Sequence, residues 1–390
     1  MIKFPYSSQK IGLAVSGGTD SAAMMHMAAM QNTPNNFIIF TIDHGLRAES
    51  AKEVLSVKET AQKYGFECII LKLNMGAHSK AIQKNARDAR YKVLAQAAQK
   101  HHCNIMCIAH HQNDIMETLL SRLTHHSGLM GLAVMPPFFY HLGTLFHRPM
   151  LHLSRSDIEY YAAHHNLHIL HDPSNKNRKY ERVRHRNILC DNTDLHPSLI
   201  KLHRKAKALK YDITLARDIF IKNHVTLSPF GFCVINHPAL SQENDDLIIS
   251  ILKYCIHYVG GQQYVTLSQR PTKNMTLGGC YVHMNKRTVS IFKEKRSQQS
   301  QSSPMGKAIY DNRFILTLPE DGTITIKFQK DYDIPYFAKQ TLPFLSGHSG
   351  KEYDFDQLHP IYRPCGLEQF NSDPILHHLA ISPLKWSSSK

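Results

Sequence analysis

The first half of the chain alternates between two hydrophobic patterns. Short apolar runs cover Ile11–Val15, Phe37–Ile42, Cys68–Leu73 and Asn104–Ala109. Runs of this length predict buried strands. Between them lie longer segments with helical spacing: Ser21–Met30, Ser50–Tyr64, roughly Ala81–Lys100, and Asp114–Thr124. This βαβα rhythm predicts an α/β fold, a doubly wound and mostly parallel sheet with helices on both faces. Ligands in such sheets bind beyond the carboxyl ends of the strands. The residues there are Ser16-Gly17-Gly18-Thr19-Asp20-Ser21, Asp43-His44-Gly45 and His110-His111. All are polar, and all are expected along one edge of the sheet.

The pattern changes after Pro173. From there to Lys210 the chain carries eleven Lys and Arg against three acids, Glu181, Asp191 and Asp194. Leu202, Ala206, Leu209, Ile213, Ala216 and Phe220 recur at spacings of four and three. That spacing predicts an amphipathic helix with a basic outer face. Ser297–Pro304 is polar and low in complexity and reads as a loop or linker. Beyond it, strand-like runs at Phe314–Leu318 and Thr323–Phe328 are split by Glu320-Asp321-Gly322. The expected organisation is an N-terminal domain over 1–205, a helical middle region over 206–300, and a small C-terminal domain over 301–390. No internal repeat is visible.

At 390 residues the chain is long enough for two or three domains with cores of their own. Hydrophobic residues at 42% and charged residues at 20% argue against disorder throughout. The net charge of +15 favours a polyanionic partner, nucleic acid or an acidic membrane surface. No apolar run reaches the ~18 residues of a membrane span, and the N-terminus has no apolar signal stretch, so a cytoplasmic location is expected. The eight cysteines are scattered without a CxxC pair, which favours reduced thiols. Cys103 and Cys107 beside His101 and His102 lack the second ligand pair that a zinc site needs.

Ser16–Ser21 follows a predicted strand and opens a predicted helix. Its two glycines allow close backbone approach, and helix-start N–H groups favour an anion. An ordinary Gly-Gly turn with a polar cap has the same look. No Gly-Lys-Ser/Thr ending follows a strand, so this is not a Walker A loop. Asp20 is out of place beside a bare phosphate. It makes sense if Mg²⁺ bridges it to phosphate oxygens.

The loop resembles the pyrophosphate loop of the N-type ATP pyrophosphatase (PP-loop) family, whose fold is adenine nucleotide alpha hydrolase-like. Within that family the chain is similar to the tRNA(Ile)-lysidine synthetases. The similarity is carried in order by Ile42–Arg47, Ala86–Tyr91, His110–Asp114 with Glu117-Thr118, Ser127–Leu129, Arg148-Pro149 and His171–Asn175. It covers roughly residues 10–190.

The resemblance implies a ligase that joins free L-lysine to C2 of cytidine 34 in the CAU anticodon of tRNA(Ile). The cytidine is first adenylated, and AMP and pyrophosphate are released. ATP and Mg²⁺ are the implied cofactors. Ser16, Gly17, Gly18, Thr19, Asp20 and Ser21 are implied to hold ATP, with Asp20 on the metal. Asp20, Arg87, Arg90, His110 and Asp114 form the implied catalytic set, the two arginines facing the leaving pyrophosphate. Asp43, His44, His111 and Glu117 are implied nucleotide or lysine contacts. Lys176, Arg178, Lys179, Arg182, Arg184 and Arg186 would follow tRNA phosphates, and the small C-terminal domain over 301–390 would associate with the tRNA. The oligomeric state stays open, a homodimer being one option. No membrane partner is expected.

Two departures stand out. His125-His126 replaces the Arg-Gly usual before the Ser-Gly-Leu motif, and Gln83-Lys84-Asn85 replaces a small, Ala-rich run. From the residues alone, His110, His111 and Asp114 also fit an N-cap aspartate with packed histidines, or a metal phosphoesterase. Glu117 and the basic run also fit ordinary solvated helix surface. A tRNA thiolase would bring paired cysteines near the loop ends. A non-catalytic RNA binder would have lost Asp20 or the loop glycines.

Overall fold

The computed structural model describes residues 4, 10–31, 36–43, 45, 48–73, 82–170, 181–260, 267, 269–295, 300–310, 314–326, 333–358 and 360–362. The chain divides into two units, one running to Ala208 and one spanning Leu209–Leu367.

The first unit holds a six-stranded sheet. Its strands are β1 (Ile11–Ala14), β2 (Phe37–Asp43), β3 (Glu67–Lys72), β4 (Ile105–Ile108), β5 (Phe138–His141) and β6 (Thr144–His147). The order is β3-β2-β1-β4-β6-β5, parallel except for the β5–β6 hairpin. Helices α1 (Thr19–Ala29), α2 (Ala48–Lys63) and α3 (Ile82–Lys100) connect the first four strands. After β1 the strand order runs one way to β3, and then β4 starts on the other side of β1. The β1/β4 boundary is therefore the switch point at which an open parallel sheet leaves a crevice.

Alternation along the strands fills both faces. Ile11, Leu13, Ile39 and Cys107 pack with Met24 and Met27 of α1 and Val57 and Ala61 of α2. Ile38, Phe40, Met106 and Phe146 pack with Tyr91, Leu94, Ala95 and Ala98 of α3. Each large side chain buried this way contributes about 1.5–3 kcal/mol. Gly12 lets the second layer close, because a Cβ there would lie 2.8 Å from Met106 Cε and 2.9 Å from Phe40 Cε2.

The unit also holds helices α4 (Gln112–Thr124), α5 (Leu129–Leu132), α6 (Arg155–His164) and α7 (Glu181–Asp191), and α8 (Leu195–His224) starts in it and continues past Ala208 into the second. Ile115, Met116 and Leu119 of α4 bury against Leu132, Leu189, Leu199 and Ala206. The predicted amphipathic helix through Leu202–Phe220 forms within α8, and among the described residues a separate helix, α7, precedes it.

In the second unit, the expectation of a helical middle region is corrected. It holds an antiparallel sheet of β7 (Val225–Ser228), β8 (Phe232–Asn236), β9 (Met275–Leu277), β10 (Cys280–Met284) and β11 (Thr288–Lys293), with α9 (His237–Ser241) and α10 (Asp245–Tyr258). The strands are three to six residues long, so tight turns rather than long apolar runs define them. Gly278 and Gly279 both take positive φ between β9 and β10, as a two-residue hairpin requires.

The linker reading of Ser297–Pro304 also needs correction. Gln301–Ser303 is strand β12, paired with β15 (Gly322–Ile326) at the sheet edge. A short polar strand is tolerated there because only one side is paired. Between them lie β13 (Gly306–Tyr310) and β14 (Phe314–Leu318), followed by α11 (Tyr336–Lys339), β16 (Pro343–Gly347), β17 (Glu352–Tyr353) and β18 (Ile361–Tyr362). The split runs at Phe314–Leu318 and Thr323–Phe328 form as β14 and β15, which ends at Ile326. Among the described residues no helix is long and apolar enough to cross a membrane.

Candidate active site

The loop after β1 lies at the switch point. Gly17 has φ +86°, and its carbonyl accepts from Leu170 N at 2.9 Å. A Cβ at Gly17 would stand 2.5 Å from Leu170 Cδ1. Gly18 is extended (φ −68°, ψ 163°) and is the N-cap of α1, with no side-chain cap. The first-turn N–H groups are therefore offered to an anion. Ser21 turns inward. Its hydroxyl accepts from Ser16 N at 3.1 Å, donates to Gly18 O at 3.0 Å and lies 3.2 Å from Ser16 Oγ. Ser21 thus braces the loop, on which Ser16 is exposed and Thr19 half-buried.

Asp20 lies in the first turn of α1 and meets the start of α4. His111 is the N-cap of α4: its Nδ1 accepts from Asn113 N at 3.2 Å, and its own N–H donates to Asp114 Oδ2 at 2.9 Å. The bare-residue reading placed an aspartate at the cap. The structure gives that place to His111, with Asp114 as the reciprocal partner of the capping box. An Nδ1 that accepts leaves the proton on Nε2. That Nε2 sits 3.7 Å from Asp20 Oδ2 and 3.6 Å from Asp114 Oδ2, so one imidazole lies between two carboxylates. Burial pushes the Asp20 carboxyl above its ordinary value. His111 opposes this, Asp114 adds to it, and Arg155 and Arg186 oppose it.

One turn along α4, Glu117 is buried at 3% exposure. Its Oε1 accepts from Arg186 Nε of α7 at 2.9 Å. Arg186 therefore turns inward to Glu117. Arg184 is exposed. Lys176, Arg178, Lys179 and the His171–Asn175 segment lie outside the described residues, as does the Arg182 side chain.

Asp43, at the end of β2, braces its own turn. Its Oδ1 accepts from Gly45 N at 2.9 Å and from Ser50 Oγ at 2.7 Å. His44 lies outside the described residues. Arg87 and Arg90 are exposed on α3, with guanidinium carbons 5.5 and 5.8 Å from the Tyr91 ring centre. His110 is buried immediately beyond β4, next to His111.

Two arginines near the site escaped the reading of the sequence as site residues. Arg155 opens α6, and its N–H donates to Asn113 Oδ1 at 2.9 Å, while Gln112 N donates to Leu153 O at 2.9 Å. The starts of α4 and α6 are thereby stitched together beside Asp20. The signal was Ser154-Arg155-Ser156-Asp157, a capping-box pattern marking a helix start. Arg148 is buried beside His110. Its only sequence signal was its place in the Arg148-Pro149 motif.

Cys103, just before β4, and Cys107, within it, are buried. Burial pushes the Cys103 thiol up to about 11 and the Cys107 thiol further still. Among the described residues no group of three or more His, Cys, Asp or Glu is arranged to hold a metal by itself. His125 closes α4 with its Nδ1 donating to Ser121 O at 2.7 Å, and His126 takes the left-handed φ of +52° that glycine would occupy freely.

Comparison with known proteins agrees with this geometry. Residues 2–193 match the PP-loop domain family. The chain is 31% identical to a tRNA(Ile)-lysidine synthase of Wolbachia pipientis wMel, over 86% of this chain and 83% of that one. It is 30% identical to the enzyme of that name from the Wolbachia of Brugia malayi, over 85% and 84%. The one from Ruegeria pomeroyi is 29% identical, over 81% and 79%. Similarity of this extent reaches through both units, and the chain belongs to the tRNA(Ile)-lysidine synthase family.

Proposed function

We propose that this chain joins L-lysine to C2 of cytidine 34 in the CAU anticodon of tRNA(Ile), forming lysidine at the expense of ATP. The observation that carries the reading is the Asp20–His111–Asp114 cluster at the β1/β4 crevice, with the Glu117–Arg186 pair one helical turn away. The first is suited to a nucleotide and the second to an amino acid.

In the first step the O2 atom of cytidine attacks the α-phosphorus, and pyrophosphate leaves. The loop N–H groups at the start of α1 hold the phosphates, and Arg87 and Arg90 face the growing charge. In the second step the lysine ε-amine attacks C2, and AMP leaves. Glu117 pairs with the α-ammonium of lysine, and Arg186 beside it supplies the opposite charge for the α-carboxylate. The ε-ammonium has an ordinary pKa of ~10.4 and has to shed a proton before it attacks.

The donor set suits Mg²⁺. This ion takes one or two carboxylates and otherwise phosphate oxygens and water, so it needs no all-protein cage. Asp20, whose charge burial disfavours, and Asp114 beside it would hold it. Bound there, Mg²⁺ would neutralise phosphate charge.

Arg184 and the basic residues Lys176, Arg178, Lys179 and Arg182 contact tRNA phosphates, and residues 301–390 assist. Such contacts make binding fall steeply with salt. The target base leaves its stack to reach the loop, at low cost in an anticodon. The reaction belongs in the cytosol, with tRNA, ATP and free lysine.

The test is the fate of ATP labelled in its α-phosphate. AMP released only when the isoleucine tRNA and lysine are both present is the expected result, with label held on the RNA when lysine is left out. Cleavage to ADP would overturn the reading.

A further inference from the structure

The site leaves one question of proton chemistry: whether His110 takes a proton or gives a hydrogen bond. The ends of β4 and β6 answer it. These strands are parallel neighbours, with Cys107 opposite His147. One residue beyond His147 stands Arg148. Its backbone N–H donates to Pro137 O at 2.8 Å, and its Nη1 donates to Pro136 O. Its guanidinium carbon lies 4.1 Å over the Phe139 ring, and the residue is 7% exposed. Held at three points, Arg148 directs Nε to His110 Nδ1 at 3.3 Å.

A guanidinium has donors only and keeps its charge. The contact therefore requires a lone pair on His110 Nδ1, which places the proton of the neutral ring on Nε2. Protonating Nδ1 would set two donors face to face and bring a second cation against the first.

We propose that Arg148 is a positioning residue that fixes His110 as a neutral Nε2–H hydrogen-bond donor, so that His110 donates to a phosphate or base oxygen and is not the acceptor of the lysine proton. The inference rests on the reading of His110 as part of the active site. Its structural half, the tautomer, holds independently of that reading.

The ring tautomer can be observed without substrate. In full-length protein labelled with ¹⁵N-histidine, the resonance that disappears in His110→Gln belongs to His110. At pH 7 wild type is expected to show Nδ1 bare and Nε2 protonated, and Arg148→Gln, if folded, is expected to lose that preference. A wild-type ring protonated on Nδ1 would overturn the proposal, even if the Arg148 variants fail to fold.

The catalytic half is read from a pair of variants in two assays, tRNA-dependent pyrophosphate release, which reports adenylation, and lysine transfer. Glutamine carries an oxygen and an N–H₂ and is able to donate, whereas alanine is not. His110→Gln is expected to retain about ten-fold or more of the kcat of His110→Ala. Equal and deep losses in lysine transfer for both, with adenylation intact, would show that His110 is the proton acceptor and overturn the proposal. No effect of either variant in an active enzyme would remove His110 from the reaction, with the tautomer result still standing. Wild type that releases no AMP would instead refute the proposed function.

Discussion

The two glycines of the phosphate loop should fail differently when given a methyl group. At Gly17 the backbone is left-handed, which costs an L-residue about 1–2 kcal/mol. The new Cβ would also stand 2.5 Å from Leu170 Cδ1 and 3.1 Å from Val57 Cγ2, and overpacking of this kind costs about 1–3 kcal/mol. The stiffer unfolded chain returns about 0.4–1 kcal/mol. Gly17→Ala should therefore destabilise the first unit by about 1–4.6 kcal/mol, with about 3 kcal/mol at the middle of the range. Gly18 is extended, and a Cβ there meets nothing closer than Ser16 Oγ at 3.7 Å. Gly18→Ala should cost no more than the N-cap preference, about 0.5–1 kcal/mol. Its methyl group would instead occupy the space a phosphate needs, so the KM for ATP should rise about ten-fold or more, equivalent to ~1.4 kcal/mol. Urea unfolding measures the first effect, and AMP release at varied ATP the second. Equal destabilisation by the two substitutions would refute the steric account of Gly17. An unchanged KM for ATP in Gly18→Ala would refute the phosphate reading of the loop.

Three further outcomes follow from other parts of the first unit. Arg186→Met removes the cation bonded to buried Glu117. Breaking a buried pair costs about 3–5 kcal/mol, and the 32% exposure of the arginine side chain lowers this to about 2 kcal/mol in urea unfolding, with a raised KM for lysine. Burial holds His147 down at about 4, so the folded state binds fewer protons than the unfolded state between pH 4 and 6.5. Stability is therefore complete above pH 6.5 and falls on acidification, by about 2 kcal/mol at pH 5 from this group alone. His147→Phe, which keeps a ring against Phe138, should flatten that slope in unfolding measured from pH 7 to 5. His126→Gly should stabilise the protein by about 0.5 kcal/mol, since the relief of a left-handed residue exceeds the added freedom of the unfolded chain, and a Tm shift of either sign reads it.

The parallel sheet was legible because its strands are buried on both faces. Ile11–Ala14, Phe37–Phe40 and Ile105–Ile108 are continuous apolar runs, and helical periods separate them. The convergence of the loop, His110-His111 and Asp114 followed from the rule for strand ends. What stayed hidden depends on pairing across long separations. The five-stranded sheet of the second unit is built from short strands, and Gly278-Gly279 was its one sharp local signal. Arg186 read as one more charge in a basic run, because nothing local marks the residue whose partner, Glu117, lies 69 positions earlier. Arg148 and Arg155 were likewise placed by neighbours that are distant in sequence, His110 and Asn113. Ser21 looked like a phosphate donor until its hydroxyl was seen to bind the loop itself.

Transfer of lysine to RNA at the β1/β4 crevice is tested by one incorporation assay. Radiolabelled lysine is incubated with wild type or Asp20→Ala, ATP, Mg²⁺ and tRNA containing the unmodified isoleucine species. Label should enter acid-precipitable RNA through a linkage that survives mild alkali, which an aminoacyl ester would not, and Asp20→Ala should give none. Folded wild-type protein that fixes no lysine and releases no AMP, or an Asp20→Ala variant that fixes lysine as well as wild type, would contradict the account.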